Sequence, residues 1–162
     1  MSEPSFVREV REDDRESIDE LLELAFGGRE EVRLVRDLRD IGDMYKEVVM
    51  PFGDGAAGYL ALSRFRAPDG WLCLAPVAIH PDWQRQGRGR FMVQAQVDEL
   101  CHRLNKTIVV LGPLGFYRSA GFSSTRARKL TTPFSRDNTL LAAPGTGVAH
   151  AKLSYSKAFG AR

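Results

Sequence analysis

The sequence predicts an α/β (α+β) fold in which helices flank one central, mixed, mostly antiparallel sheet. Strand-like and helix-like segments alternate along the chain in the order β-α-α-β-β-β-α-β-α-β, which favours a layered sheet with helices on its faces. The 162 residues are expected to form a single domain, 1–162. Hydrophobic residues make up 43% of the chain and charged residues 27%, as in an ordinary globular protein.

The first third of the chain predicts a strand at residues 6–10 and two helices after it. Asp13 or Asp14 can cap the first helix. Apolar residues at helical spacing give that helix a buried face, and two glycines end it: Ile18, Leu21, Leu22, Ala25, Gly27 and Gly28. A second short helix is indicated by Val32, Val35 and Leu38, and it is expected to stop near Gly42.

The middle third predicts three consecutive strands, a glycine-rich loop, a helix and a further strand. The strands are expected at residues 45–50, 58–65 and 71–79, separated by turns that contain glycine. The helix is expected at 91–104, where Asn105 is a plausible left-handed stop. The β-branched run 107–111 is typical of a buried strand.

The last third is harder to interpret. Residues 123–147 carry Pro133, Pro144 and several small polar residues, so we expect a long loop with one short strand near 128–130. A final strand is expected near 148–155.

Composition argues against several function classes. The formal net charge is +2 at pH 7, which gives no strong attraction to nucleic acid or membrane. No run approaches the roughly 18 apolar residues of a spanning helix, and the N-terminus does not resemble a signal peptide. Cys73 and Cys101 make no disulfide framework, and the three histidines share no ligand spacing, so no metal is expected. A cytoplasmic protein is the resulting expectation.

The loop from His80 to Arg90 is the main functional signal. It contains two glycines and three arginines and lies between a predicted strand and a predicted helix. The first amides of a helix have no intrahelical acceptor and carry partial positive charge, so they suit phosphate groups. A solvated surface turn is the alternative. Neither the P-loop nor the G-x-G-x-x-G pattern fits, because Gly89 is followed by Arg90 and Phe91, and Met92 occupies the third glycine position.

The spacing Gln84-x-x-Gly87-x-Gly89 resembles the acetyl-CoA loop of the GCN5-related N-acetyltransferases, the GNAT superfamily. The run 116–122 (Phe-Tyr-Arg-Ser-Ala-Gly-Phe) is similar to the closing signature of that family, and it follows the loop by one helix plus one strand. The runs 74–81, 110–112 and 155–160 look like the YhbS-like branch of the superfamily. The resemblance extends from about Phe6 to Gly160.

The resemblance implies a splayed strand pair that holds acetyl-CoA as co-substrate, without a metal. Pro76 would then mark a bulge where the strand begins to splay; an edge strand is the alternative. Backbone groups of Val77, Ala78 and Ile79 would pair with the pantetheine arm, and an N–H from Val77 could polarise the thioester carbonyl. The pyrophosphate loop would comprise Gln84, Arg85, Gln86, Gly87, Arg88, Gly89 and Arg90.

The same resemblance gives Tyr117 the role of general acid in transfer of an acetyl group to an unidentified primary amine on a small molecule or peptide. Packing against the cofactor is the alternative for Tyr117. Glu47, His80 and ordered water remain open as the base, since the strand before the loop contains no acidic residue. A homodimer is an open expectation because dimers are frequent in the family. A CoA-binding sensor without turnover is the alternative function.

Overall fold

The computed structural model describes residues 2–160 and contains one six-stranded sheet whose strand order follows the sequence, β1 to β6. The strands are β1 (Arg8–Glu9), β2 (Met44–Phe52), β3 (Gly55–Arg64), β4 (Trp71–Ile79), β5 (Thr107–Leu111) and β6 (Thr139–Ala142). The helices are α1 (Arg15–Phe26), α2 (Glu30–Asp40), α3 (Arg88–Gln96) and α4 (Leu114–Ser119). Neighbouring strands are antiparallel except β4 and β5, which are parallel. The predicted fold class is confirmed.

Helices cover both faces of the sheet because successive strand residues point to opposite sides. Tyr59 and Ala61 of β3 pack against α1 and α2, in a cluster that includes Ile18 and Val35. Leu60 and Leu62, their neighbours on β3, pack on the other face with Met92 and Val93 of α3 and other apolar residues. Burial on both faces explains why β3 is a nearly continuous run of buried residues.

The parallel pair β4–β5 separates halfway along β4. Pairing runs from Trp71 opposite Thr107 to Leu74 opposite Val110, where it ends. On the other side of β4, the register with β3 shifts between Leu74 and Val77, so β4 carries one extra residue at this point. The bulge expected at Pro76 is therefore present. As a whole β4 is not an edge strand, because it lies between β3 and β5, but at Pro76 its β5 side has no strand partner within residues 2–160.

The helix after the glycine loop begins earlier than its apolar pattern suggests. We expected it at 91–104, but α3 begins at Arg88, directly after Gly87, which has a φ of 81°. Its continuation, Val97–Arg103, is π-helical. Asn105 has a φ of 58°, so the predicted left-handed stop is confirmed.

The late segment differs from expectation in two places. The strand predicted near 148–155 is wrong: Ser154 forms a single bridge with Ala67 and Lys152 another with Thr131, so two different partners prevent a continuous ladder. No strand forms at 128–130 either. The sixth strand is instead β6, inside the stretch expected to be a loop. β6 has no apolar–polar alternation because all four of its residues are buried.

Within residues 2–160, no helix combines the length and the hydropathy needed to cross a membrane. Across the same residues, no three side chains of the His, Cys, Asp or Glu type come together as metal ligands could.

Candidate active site

A cleft of about 790 Å³ opens where β4 and β5 separate. Its walls are the end of β4, the glycine loop, the first turn of α3 and the short helix α4. The ten lining residues all fall between positions 77 and 117: Val77, Ile79, Gln84, Arg85, Gly87, Gly89, Arg90, Pro113, Phe116 and Tyr117. This volume lies within the range of small-molecule and cofactor sites.

The cleft brings together most of the residues that the sequence singled out. Of the eleven predicted site residues, eight line it: Val77, Ile79, Gln84, Arg85, Gly87, Gly89, Arg90 and Tyr117. Because the loop follows β4 directly and α4 follows β5, the separation of the two strands places the loop opposite Tyr117.

Three predicted residues do not line the cleft. Ala78 is buried in the cluster beneath α1 and α2, on the other face of the sheet. The Arg88 guanidinium lies 4.8 Å from the centre of the Trp83 ring, donates to Gln86 Oε1 at 2.6 Å and lies 3.7 Å from Glu3. The Arg88 and Gln86 side chains therefore turn toward the N-terminal segment. Arg88 and Gln86 can contribute only their main-chain groups to the cleft.

The glycine loop presents unpaired amides to the cleft. Gly87 is the N-cap residue of α3 and supplies no side-chain cap, and the first intrahelical bond runs from the Phe91 N–H to the Gly87 carbonyl at 3.0 Å. The N–H groups of residues 88, 89 and 90 thus have no acceptor within the helix. Their dipoles, with the cations of Arg85 and Arg90, favour an anion at this end of the cleft.

Gln84 ties the loop to the end of β4. Its side-chain Nε2 donates to the Ile79 carbonyl at 2.9 Å, which fixes the loop against the strand. Arg85 follows with a φ of 62°, a left-handed conformation rare for a residue with a side chain. This bend directs the chain back toward α3.

Gly89 and Phe116 form the contact that closes one wall. A Cβ on Gly89 would lie 3.1 Å from Phe116 Cζ and 3.5 Å from Ile79 Cγ1, so the absence of a side chain allows α3 and α4 to approach. Phe116 and Pro113 are cleft residues that sequence reasoning did not assign. The aromatic residue directly before Tyr117 was the available signal for Phe116.

Tyr117 is held by tight aromatic packing. Its ring makes edge contacts with Phe116 and Phe122, at centroid distances of 4.9 and 5.8 Å. It also lies against Gly112, where a Cβ would come within 2.6 Å of Tyr117 Cε2. Burial raises the pKa of Tyr117 to about 12, with a smaller contribution from Cys73. The phenol is therefore a neutral donor at physiological pH.

The two side chains left open as possible bases are engaged elsewhere. Arg39 donates to Glu47 through Nε at 3.1 Å and Nη2 at 2.7 Å, and the Tyr59 hydroxyl donates to the same carboxylate at 2.7 Å. His80 Nδ1 accepts from the Asp82 N–H at 3.1 Å. Neither residue lines the cleft, and its ten lining residues include no carboxylate and no imidazole.

Known proteins of one family are similar to this chain in sequence and in fold. The family model described as "Acetyltransferase (GNAT) domain" matches residues 44–124. The "Uncharacterized N-acetyltransferase YhbS" of Escherichia coli (strain K12) is 31% identical over 113 residues, which cover 67% of this chain and 68% of that protein.

Two solved structures share the fold. The crystal structure of the GNAT family N-acetyltransferase YhbS from Escherichia coli in complex with CoA gives a TM-score of 0.84 at 25% identity, covering 99% of this chain and 96% of that chain. A GNAT family acetyltransferase from Brucella melitensis in complex with acetyl-CoA gives 0.78 at 24% identity, covering 95% and 97%. With its family-model match and its relative of 31% identity, the chain belongs to the GNAT family of acetyltransferases.

Proposed function

We propose that this protein transfers an acetyl group from acetyl-CoA to a primary amine, with the cleft between β4 and β5 as its active site. One observation carries the proposal: the same cleft has unpaired helix-start amides at one end and the Tyr117 phenol among its walls. Acetyl-CoA supplies a thioester, whose carbonyl carbon accepts the amine and whose sulfur departs. Residues of the protein bind the acetyl-CoA, orient it and donate the proton.

The edge of β4 suits an extended ligand that carries amide groups. Beyond Leu74 no strand within residues 2–160 pairs with β4 on its β5 side. Apart from the Ile79 carbonyl, which accepts from Gln84 Nε2, the main-chain groups that Val77 and Ile79 direct to that side can pair with such a ligand, much as an added strand would. The pantetheine arm of CoA has this character. The Val77 N–H is the candidate donor to the thioester oxygen.

The loop suits the diphosphate of CoA. The amides of residues 88–90 and the cations of Arg85 and Arg90 provide directional donors and full charges at the same end of the cleft. Gly87 has a φ of 81°, so a residue with a side chain would be strained there, and its missing Cβ leaves space toward the ligand.

Tyr117 is the proposed proton donor to the departing sulfur. Within residues 2–160 no hydrogen bond to its hydroxyl is formed, although its ring is firmly packed. The hydroxyl is therefore available to a ligand in the cleft. Burial keeps the phenol protonated over the whole physiological range.

Water is the proposed path for the proton that the amine loses. Glu47 accepts hydrogen bonds from Arg39 and Tyr59, and His80 Nδ1 is used within its own turn. With no carboxylate or imidazole among the cleft-lining residues, the ammonium form of the acceptor loses its proton to solvent before attack. The rate is then expected to rise with pH as the acceptor becomes neutral.

A CoA-binding sensor without turnover is the second candidate, and the absence of a general base from the cleft lining favours it. An assay of CoA release with acetyl-CoA and a panel of primary amines separates the two functions. Amine-dependent release, abolished by Gly87→Val, supports the transferase. Calorimetric binding of CoA without release for any amine supports the sensor. Absence of both binding and release refutes the site itself.

A further inference from the structure

A second cavity, of about 540 Å³, lies on the opposite face of the sheet from the cleft. Its wall residues Leu153 and Tyr155 pack with Cys73 of β4 and Val109 of β5. The neighbouring strand residues, Leu74 and Val110, point the other way, toward the cluster that contains Tyr117. Residues that alternate along a strand face opposite sides, so the sheet separates this cavity from the cleft.

Main-chain hydrogen bonds fix the walls of the second cavity. The Arg66 N–H donates to the Ser154 carbonyl at 2.7 Å, and the Ser154 N–H donates to the Ala67 carbonyl at 2.8 Å. The Leu153 N–H donates to the Thr131 carbonyl at 2.8 Å. Three segments that are distant in sequence are thereby held around one space, which is formed before any ligand arrives.

One wall of the cavity is apolar and aromatic. The Tyr155 ring makes edge contacts with Phe65 and Phe134, each at a centroid distance of 4.7 Å, and with Phe159 at 5.5 Å. Leu153 beside it is 4% exposed. Such a surface accommodates a flat or branched hydrocarbon group.

The rim of the cavity is cationic. Arg66, Lys152 and Lys157 line it, and none of its lining residues within 2–160 is acidic. The salt bridges within residues 2–160 include none of these three side chains. A nearby carboxylate, Asp43, accepts from the Ser156 hydroxyl at 2.6 Å. Three cations that share one cavity, none of them in a salt bridge among the described residues, give it a positive potential.

We propose that this cavity binds a small organic anion, one that places a carboxylate or phosphate among Arg66, Lys152 and Lys157 and an apolar group against Tyr155. The volume favours a small molecule over a macromolecule, since it lies within the range of small-ligand pockets. Hydroxyls of Thr131 and Ser154 line the same space and add donors for the anion's oxygens. The proposal is independent of the acetyl transfer proposed above.

The test is an amide NMR titration of the full chain with three probes: benzoate, phenyl phosphate and the neutral isostere benzamide. Each titration is run with and without excess CoA, because a phosphate could also enter the glycine loop. We expect saturable shifts at Thr131, Lys152 and Ser154 for at least one anion, unaffected by CoA. Comparison of the two anions identifies the preferred group. The neutral isostere should bind at least about tenfold more weakly, because it lacks the charge.

Variants sharpen the test. Arg66→Ala/Lys152→Ala should weaken anion binding at least about tenfold, whereas Lys129→Ala, which removes an exposed cation that does not line the cavity, should not. If the double variant does not fold, Lys157→Ala replaces it. Benzamide binding as tightly as benzoate, equal weakening by Lys129→Ala, or anion shifts confined to residues 85–90 would each overturn the proposal.

Discussion

Replacing Tyr117 by Phe isolates the role of one hydroxyl. The ring keeps its edge contacts with Phe116 and Phe122 and its fit against Gly112. No hydrogen bond within residues 2–160 is lost, so the free energy of unfolding should change by no more than about 0.5 kcal/mol. Any large change in turnover then reports on the reaction.

The pKa of Tyr117 sets the size of the effect. The pKa of the Tyr117 phenol, about 12, is higher than the reference pKa of a thiol, about 8.5. Complete proton transfer from Tyr117 to a free thiolate would therefore cost about 5 kcal/mol. The hydroxyl is therefore expected to act as a partial proton donor, which shares its proton with the sulfur through a hydrogen bond as negative charge develops in the transition state. That places the loss in kcat near the lower end of the range for general acid catalysis, about 10²-fold.

The assay is CoA release under saturating acetyl-CoA, measured from about pH 6 to 10. Tyr117→Phe should lower kcat about 10²-fold while changing KM for acetyl-CoA less than about threefold. Since the pKa of Tyr117 is about 12, the wild-type rate should rise with pH to a plateau, with no fall on the alkaline side in this range. Tyr155→Phe removes a partly buried phenol outside the cleft and serves as the control. An unchanged kcat in Tyr117→Phe refutes the reasoning.

Three further predictions concern stability. Gly58→Ala should cost about 1–3 kcal/mol in urea unfolding, because its Cβ would lie 2.6 Å from Met92 Sδ and 3.0 Å from Ile79 Cδ1. Glu47→Gln should cost about 3 kcal/mol, since Arg39 would keep its charge without a carboxylate, yet kcat per folded molecule should be unchanged. Burial raises the pKa of the Cys73 thiol from 9.0 to about 12. Between pH 9 and 12 the native state therefore keeps a thiol proton that the unfolded chain loses. Up to about 4 kcal/mol of the free energy of unfolding, fully present below pH 9, is lost as the pH rises toward 12. Cys73→Ala should flatten that decline.

Each of these predictions has a matched control or a contradicting result. Gly55→Ala should be nearly neutral, because the one atom within 4 Å of its Cβ is the Phe52 carbonyl oxygen, at 4.0 Å. Glu99→Gln breaks an exposed ion pair with Arg103 and should cost less than about 1 kcal/mol. A large fall in kcat for folded Glu47→Gln would contradict the prediction and support Glu47 as the general base. Equal alkaline slopes with and without Cys73 would contradict the burial argument.

The elements around the cleft were predictable because their signals are local. The strand at 71–79 and the strand at 107–111 have the predicted bounds, and the bulge was readable from a proline inside a strand-like run. Gln84, Gly87 and Gly89 could be placed around one cleft because loop and helix follow one another directly. Their spacing, with the run around Tyr117, was sufficient to indicate the family.

What the sequence concealed depends on contacts between distant segments. β6 is buried on both faces, with Leu140 in one core cluster and Leu141 in another, so no alternating pattern marked it. The run 148–155 has strand-like composition but finds two unrelated partners in place of one strand. The direction of the Arg88 side chain could not be predicted either. It is set by the Trp83 ring and by Glu3, and Glu3 is far from Arg88 in the sequence. The bridges from Ser154 to Ala67 and from Lys152 to Thr131 also hold the walls of the second cavity together.

All ten residues around the cleft come from one uninterrupted stretch, 77–117, which lies wholly inside the region matched by the family model, 44–124. The second cavity draws most of its lining from residues 131–160, beyond that region. Substitutions of tail residues that line the second cavity should therefore leave the lining of the cleft unchanged, provided that they keep the core contacts of Leu153 with Cys73 and Val109. The ligand proposed for the second cavity can therefore change by substitution while the ten residues that line the cleft stay the same.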